Sequence, residues 1–255
     1  MIKFHFAFDK TKKSQNLKVK LLKTYKNHPP QNSEIIIIAG GDGYMLNCLK
    51  KYSKYKRSFY GINCGTFGFL MNKYVSKNLE RKIINAKKVI INPLQIISFD
   101  KKIKKKIIAI NEVSLFRQSR QAASLKLIIG KKTIIKKLIG DGILISTPAG
   151  STAYNLSVHG PILSLNSEKL AVTPISPFRP RRWKGKIISN NLKIKLINLD
   201  SKKRPVAAVA DNIEVRNIKS LSVKIDKNIK LSLLYDSKRS LEKKIKIEQV
   251  RRDFN

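Results

Sequence analysis

Residues 35–43, Ile-Ile-Ile-Ile-Ala-Gly-Gly-Asp-Gly, constrain the fold more than any other stretch of the chain. Ile35 to Ala39 form a continuous apolar run rich in β-branched side chains, which suits a strand buried on both faces, as in a parallel sheet. Gly40, Gly41 and Gly43 then offer backbone without a Cβ, so that a phosphate can lie against the main chain. Tyr44 to Leu49 resume with helical apolar spacing, and the turn therefore opens onto a helix N-terminus, where unpaired N–H groups and the helix dipole favour an anion. Asp42 is the single carboxylate in that turn, placed to take a proton from a hydroxyl nucleophile or to help hold a metal. An ordinary tight turn without chemistry is the competing reading of these residues taken alone.

From Met1 to about Pro93, strand-like and helix-like stretches alternate. Strands are expected at Ile2–Phe8, Glu34–Ala39, Ser58–Asn63 and Val89–Ile91, and helices at Ser14–Tyr25, Tyr44–Tyr55 and Lys77–Ala86. This succession predicts an open, mostly parallel, Rossmann-like α/β sheet. Ligands of such sheets gather beyond the carboxyl ends of the strands, an edge that the glycine turns at 40–43 and 65–68 would share. After Pro93 the texture becomes short β-branched runs separated by turn signals, from Leu94–Asp100 through to Leu231–Tyr235, with one helix-like island at Gly150–Val158. That pattern predicts a β-sandwich. The expected organisation is an α/β domain of residues 1–93 plus 240–255, the tail packing back on it, and a β-sandwich-like domain of residues 94–239.

The charge is extreme: 54 Lys and Arg against 16 acids, a net +38. A basic face neutralising nucleic-acid phosphates is the first explanation of such a balance. Yet the lysines are scattered through every segment, and no zinc-finger spacing or RNP-like aromatic run accompanies them. The charge is read as a solvated surface with an unspecific attraction for anions, and no specific nucleic-acid partner is expected. No apolar run approaches the roughly 18–20 residues that span a bilayer, and the N-terminus lacks a signal-peptide pattern. Cys48 and Cys64 have no metal-ligand spacing and fit small packed side chains in a reducing cytosol. His5, His28 and His159 are read as structural or surface residues.

The second half holds two further constellations. Residues 140–155, Gly-Asp-Gly-Ile-Leu-Ile-Ser-Thr-Pro-Ala-Gly-Ser-Thr-Ala-Tyr-Asn, are dense in hydroxyls, and Pro148, Gly150, Ser151 and Thr152 make a capped turn. This is either a phosphate- or ribose-binding loop or a plain turn. Asn111-Glu112 opens a strand-like run; an amide beside a carboxylate can read donors and acceptors together. As an isolated dipeptide it carries no weight, because neighbours on a strand point to opposite faces.

Taken together, these blocks resemble the NAD kinase family. Its marks occur in order as Gly40-Gly41-Asp42-Gly43, Gly65-Thr66-Phe67-Gly68-Phe69-Leu70, Asn111-Glu112, Gly140-Asp141-Gly142, and Ser146-Thr147-Pro148 running into Gly150-Ser151-Thr152-Ala153-Tyr154-Asn155. The glycine–aspartate turn alone is shared with lipid kinases and phosphofructokinases; its joint occurrence with the serine-threonine-proline block is specific.

The resemblance implies an α/β domain followed by a β-sandwich, and transfer of a phosphoryl group from ATP, with Mg2+ or another divalent metal, to the 2′-hydroxyl of the adenosine ribose of NAD. It implies Asp42 as general base, with Gly43 and Phe69 lining the NAD pocket. It implies Asn111 and Glu112 on the ribose and adenine region, and Thr152, Ala153, Tyr154 and Ser157 along the adenine wall and phosphates. Asp141 would hold the nicotinamide end, in the family often from a neighbouring subunit, which implies a homo-oligomer, dimer or tetramer. Gly40, Gly41 and Asn212 would stand on the donor-phosphate side. No residue is assigned as a metal ligand.

The chain departs from the family at Tyr44, where many relatives carry a small hydroxyl residue, and at Asn212, where they often carry Gly or His. The basic stretch 174–182 with Arg179, Arg181 and Arg182 is read as an exposed loop, with an acidic partner or a cofactor phosphate as the other possibility. The competing functions are a lipid or diacylglycerol-type kinase of the related fold and a basic nucleic-acid-binding protein. The cytoplasm is the expected compartment.

Overall fold

The computed structural model describes residues 2–66, 68–74, 76–99 and 104–236. The chain divides into two compact units: Met1–Ile91 together with the stretch that begins at Ile229, and Asn92–Asn228. The first unit runs β1 (Phe4–Phe8), α1 (Lys12–Thr24), β2 (Ile35–Gly40), α2 (Asp42–Tyr52), β3 (Ser58–Asn63), α3 (Leu79–Ile84) and β4 (Lys87–Ile91). β1, β2 and β3 pair in parallel, in that order. Four consecutive isoleucines make β2 suitable for a central position. Ile37 and Ala39 join a core with Phe4, Phe6, Leu17, Leu21 and Tyr60, while Ile36 and Ile38 point the other way and are equally buried. A strand with apolar side chains on both faces needs cover on both faces. α1 contacts β1 and β2, and α2 contacts β2 and β3 with Met45 and Leu49 fully buried.

The second unit contains β5 (Leu94–Phe99), β6 (Lys104–Ala109), β7 (Glu112–Arg117), β8 (Ala123–Ile129), β9 (Lys132–Gly140), β10 (Gly142–Ser146), α4 (Tyr154–Ser157), β11 (Lys169–Ile175), β12 (Lys186–Ser189), β13 (Ile194–Asn198), β14 (Val206–Ala210), β15 (Ile213–Val215) and β16 (Ser220–Ile225). Two antiparallel six-stranded sheets, β12-β11-β10-β7-β14-β15 and β6-β5-β16-β13-β8-β9, share one core. Leu115, Ile143, Val172 and Ala208 enter it from the first sheet; Leu94, Leu125, Leu196 and Val223 enter from the second. The fold is thus an α/β unit with a largely parallel sheet and a β-sandwich.

One strand-like run was assigned by sequence to the wrong sheet. Leu231–Tyr235, here β17, was expected among the sandwich strands. It lies in the first sheet between β3, to which it is parallel, and β4, to which it is antiparallel. Its apolar spacing fits either sheet, and only long-range pairing tells them apart. Residues 240–255, expected to pack back on the α/β domain, lie outside the described residues. The island at 150–158 is a short 3-10 turn, Ala149–Thr152, followed by the single turn of α4. No helix among the described residues is long and apolar enough to cross a membrane.

Candidate functional site

In the first unit the glycine turn is held by a second turn. Gly40 ends β2, Gly41 precedes α2, and Asp42 is the first helical residue. The next parallel strand, β3, ends at Asn63, and the amide of Cys64 donates to the Gly40 carbonyl at 2.9 Å. The following loop folds onto Asp42, whose two carboxylate oxygens accept the N–H groups of Phe69 (2.7 Å) and Leu70 (3.1 Å). Gly68 sits so close that a Cβ would lie 3.1 Å from Asp42 Oδ1 and 2.9 Å from the buried Met71 side chain, so any larger residue displaces the clasp. Both glycine turns therefore stand at the carboxyl edge of the sheet.

A Cβ on Gly41 or Gly43 would meet nothing within 4 Å, so open space adjoins the first turn of α2. The Tyr44 hydroxyl donates to the Phe8 carbonyl at 2.9 Å, tying the turn to the end of β1. Tyr235, on β17, was not a sequence candidate; its hydroxyl is pushed up by burial and then by the negative charge of Asp42.

In the second unit the Asn-Glu pair is gripped from two sides. Asn111 lies in a bend just before β7, not on the strand, so the alternation of strand neighbours does not separate it from Glu112. The Thr147 N–H donates to the Asn111 carbonyl (2.9 Å), and its hydroxyl donates to that of Ile110 (2.7 Å). The Gly150 N–H in turn donates to the Thr147 hydroxyl (3.1 Å). From the β14–β15 turn, Asp211 accepts the N–H groups of Ile110 (2.8 Å), Asn111 (2.9 Å) and Glu112 (3.4 Å). Sequence reading singled out Asn212 and gave its neighbour Asp211 no role. The signal was its place after the apolar run of β14, but the partner amides are a hundred residues away. Asn212 itself is exposed on that turn.

The hydroxyl-rich loop is built on Asn155, which is fully buried. Its amide donates to the carbonyls of Ser151 (3.3 Å) and Pro161 (2.9 Å), and its oxygen accepts the Thr173 hydroxyl (2.7 Å). The Ser151 hydroxyl donates to Pro148 and accepts the N–H of Leu163. These bonds hold Thr152 buried, Ala153 half-buried, and Tyr154 and Ser157 exposed. Asp141 is paired with Arg117 of its own chain. Burial, then the charges of Asp141 and Glu112, raise the Tyr154 hydroxyl. A cavity of about 430 Å³ opens on this face, its wall formed chiefly by Glu112, Phe116, Arg117, Tyr154, Asp211 and Arg216.

The C-terminal domain model of ATP-NAD kinases matches residues 110–228. A protein named NAD kinase from Brucella melitensis is 42% identical over 97% of this chain and 96% of its own. The chain belongs to the NAD kinase family. NAD kinases of Caulobacter vibrioides and Zymomonas mobilis are also 42% identical, over 92% and 94% of the chain. Two solved structures share the fold. A yeast NADH kinase complexed with NADH has a TM-score of 0.73 and 22% identity, covering 91% of this chain and 72% of that one. An NAD kinase from Archaeoglobus fulgidus in complex with ATP has a TM-score of 0.76 and 21% identity, covering 98% and 100%. Family membership favours the NAD kinase reading over the lipid-kinase and nucleic-acid alternatives.

Within this NAD kinase family member, Cys48 and Cys64 are free and buried, in keeping with small packed side chains. The basic loop presents Phe178 to solvent with the guanidinium groups of Arg179 and Arg181 5.0 and 5.9 Å from its ring centre. Gly150 is a tight point of the second-unit site. A Cβ there would stand 2.3 Å from the Asn111 carbonyl oxygen and 2.6 Å from its Cα. Gly150→Ala is therefore expected to cost about 1–3 kcal/mol of stability by forcing backbone apart, read as a lower urea midpoint at unchanged slope.

Proposed function

We propose that this chain is an NAD kinase that transfers the terminal phosphoryl group of ATP to the 2′-hydroxyl of the adenosine ribose of NAD, releasing NADP and ADP. The observation that carries the mechanism is the pinned Asp42. Both of its oxygens accept a backbone N–H, and a carboxylate offers about four lone-pair sites in all. The carboxylate is thereby fixed in direction yet able to accept the proton of an incoming hydroxyl. Phosphoryl transfer asks the protein for alignment and charge neutralisation more than for covalent chemistry. The open first turn of α2 supplies N–H groups for donor phosphates beside Gly41 and Gly43.

Asn111, Glu112, Thr152, Ala153, Tyr154 and Ser157 are the groups assigned to NAD, supported by the grip on 110–112 and by the Asn155-built loop. Among the described residues no three His, Cys, Asp or Glu side chains cluster as a metal cage. A divalent ion would enter with the donor as magnesium-ATP and would neutralise phosphate charge there. The protein is read as a cytoplasmic homo-oligomer in which Asp141 serves the nicotinamide end.

The test is incubation of the protein with NAD and magnesium-ATP, followed by mass spectrometry and by reduction of the product with an NADP-specific dehydrogenase. NADP and ADP should appear in equal amounts, and diacylglycerol should remain unphosphorylated. No NADP under these conditions would sink the reading.

A further inference from the structure

Two carboxyl groups lie side by side on the cavity wall where β7 begins, and their surroundings differ. Asp211 holds a left-handed backbone (φ 52°) at the β14–β15 turn, a conformation that aspartate tolerates better than most residues. Its carboxylate meets three N–H donors in succession, and its own N–H returns a bond to the Glu112 carbonyl at 3.1 Å. It is the acceptor-only member of the pair. Glu112 Oε2 is buried and has no hydrogen-bond partner, and neither has the buried Oδ1 of Asn111. Buried polar atoms in a finished fold are almost always paired. Two orphans on consecutive residues, one of them on a cavity wall, therefore point to a ligand that completes them.

We propose that Asp211 is a positioning residue for the acceptor dinucleotide, and that Glu112, aimed by it, meets the dinucleotide with an uncharged carboxyl that donates a hydrogen bond. The identity of the ligand rests on the NAD kinase reading; the state of the carboxyl does not. A negative charge is already present on the neighbouring turn, and a second on Glu112 would repel an anionic ligand. The polar and charged groups that line the cavity with Glu112 are Ser114 and Arg117 on its own strand, Gln118 just after it, Tyr154 from α4, Asp211 from the turn, and Glu214 and Arg216 on and after β15. The Arg117 guanidinium is engaged by Asp141 and that of Arg216 by Glu214, so neither is left to Glu112. Burial first, and then the Asp211 charge, push the Glu112 carboxyl up to about 8.

Because the folded value lies above the ordinary one of 4.5, the stability that Glu112 contributes is complete below about pH 4.5 and is lost as pH rises through about 8.

The experiment compares wild type, Glu112→Gln and Asp211→Asn from pH 5 to 9.5, by thermal unfolding without ligand and by NAD binding in equilibrium dialysis. Glutamine keeps an N–H donor without the titration. Wild-type affinity should fall about tenfold per pH unit above 8, whereas Glu112→Gln should stay flat. The thermal midpoint of wild type should fall relative to that of Glu112→Gln from pH 5 to 8. Asp211→Asn should weaken NAD binding at least tenfold with kcat changed less than threefold. It should also move the alkaline fall to lower pH, which a merely structural lesion would not do. A wild-type profile flat above pH 8, an identical fall in Glu112→Gln, or a pH-independent thermal difference overturns the proposal. If no NADP is formed at all, the functional reading fails on its own, and the ligand-free thermal series still decides the state of Glu112.

Discussion

Replacing Asp42 with asparagine lowers turnover by roughly 10²–10⁴-fold while the KM for NAD stays within about threefold. The amide is nearly isosteric with the carboxylate, yet only one of its two polar ends accepts a hydrogen bond. The N–H groups of Phe69 and Leu70 both need an acceptor, so the single oxygen is drawn towards them and the NH2 is left where the hydroxyl proton should go. A loss confined to kcat distinguishes a missing proton acceptor from a damaged binding wall. Steady-state kinetics at saturating magnesium-ATP measure the two parameters separately. Wild-type kcat in the asparagine variant would remove Asp42 from the chemistry.

The second large effect is on stability. Asn155→Ala should cost about 2–4 kcal/mol, because it leaves the Ser151 and Pro161 carbonyls and the Thr173 hydroxyl without partners inside a closed loop. Asn155→Asp separates hydrogen bonding from packing. The carboxylate fills the same volume but turns two donors into an oxygen facing two carbonyls, so the loss should be at least as large. Urea midpoints for the two variants provide the check, and a wild-type midpoint for Asn155→Asp would show that packing alone holds the loop. In both variants NAD binding should weaken together with stability, since Thr152, Ala153 and Tyr154 ride on the same loop.

The parts of the fold legible in the sequence were those written in short-range pattern. Four isoleucines followed by glycines announced a buried strand and the turn after it, and β2 and α2 begin within two residues of the expected places. The dense β-branched runs after Pro93 announced a sandwich because their turns are local. What pattern could not carry was long-range pairing. β17 reads as one more short strand, and nothing in Leu-Ser-Leu-Leu-Tyr says that its partners are Ser58 and Ile91. Asp211 hid for the same reason: its role is to close three amides that are distant in sequence. Asn111 and Glu112 gained weight only once the bend before β7 removed the strand alternation that had counted against them.

The position of β17 also bears on how the chain is made. β3 gains its second parallel neighbour, and β4 its antiparallel one, only when residues 231–235 arrive. The sandwich sequence is synthesised in the interval. A nascent chain emerging from the ribosome therefore carries β3 with an open edge, its amides and carbonyls unpaired on that side, until residues 231–235 are out. A fragment stopped at Ile91 inherits that edge permanently and is expected to aggregate, whereas a sandwich fragment spanning residues 92–228 carries all twelve strands of its own two sheets.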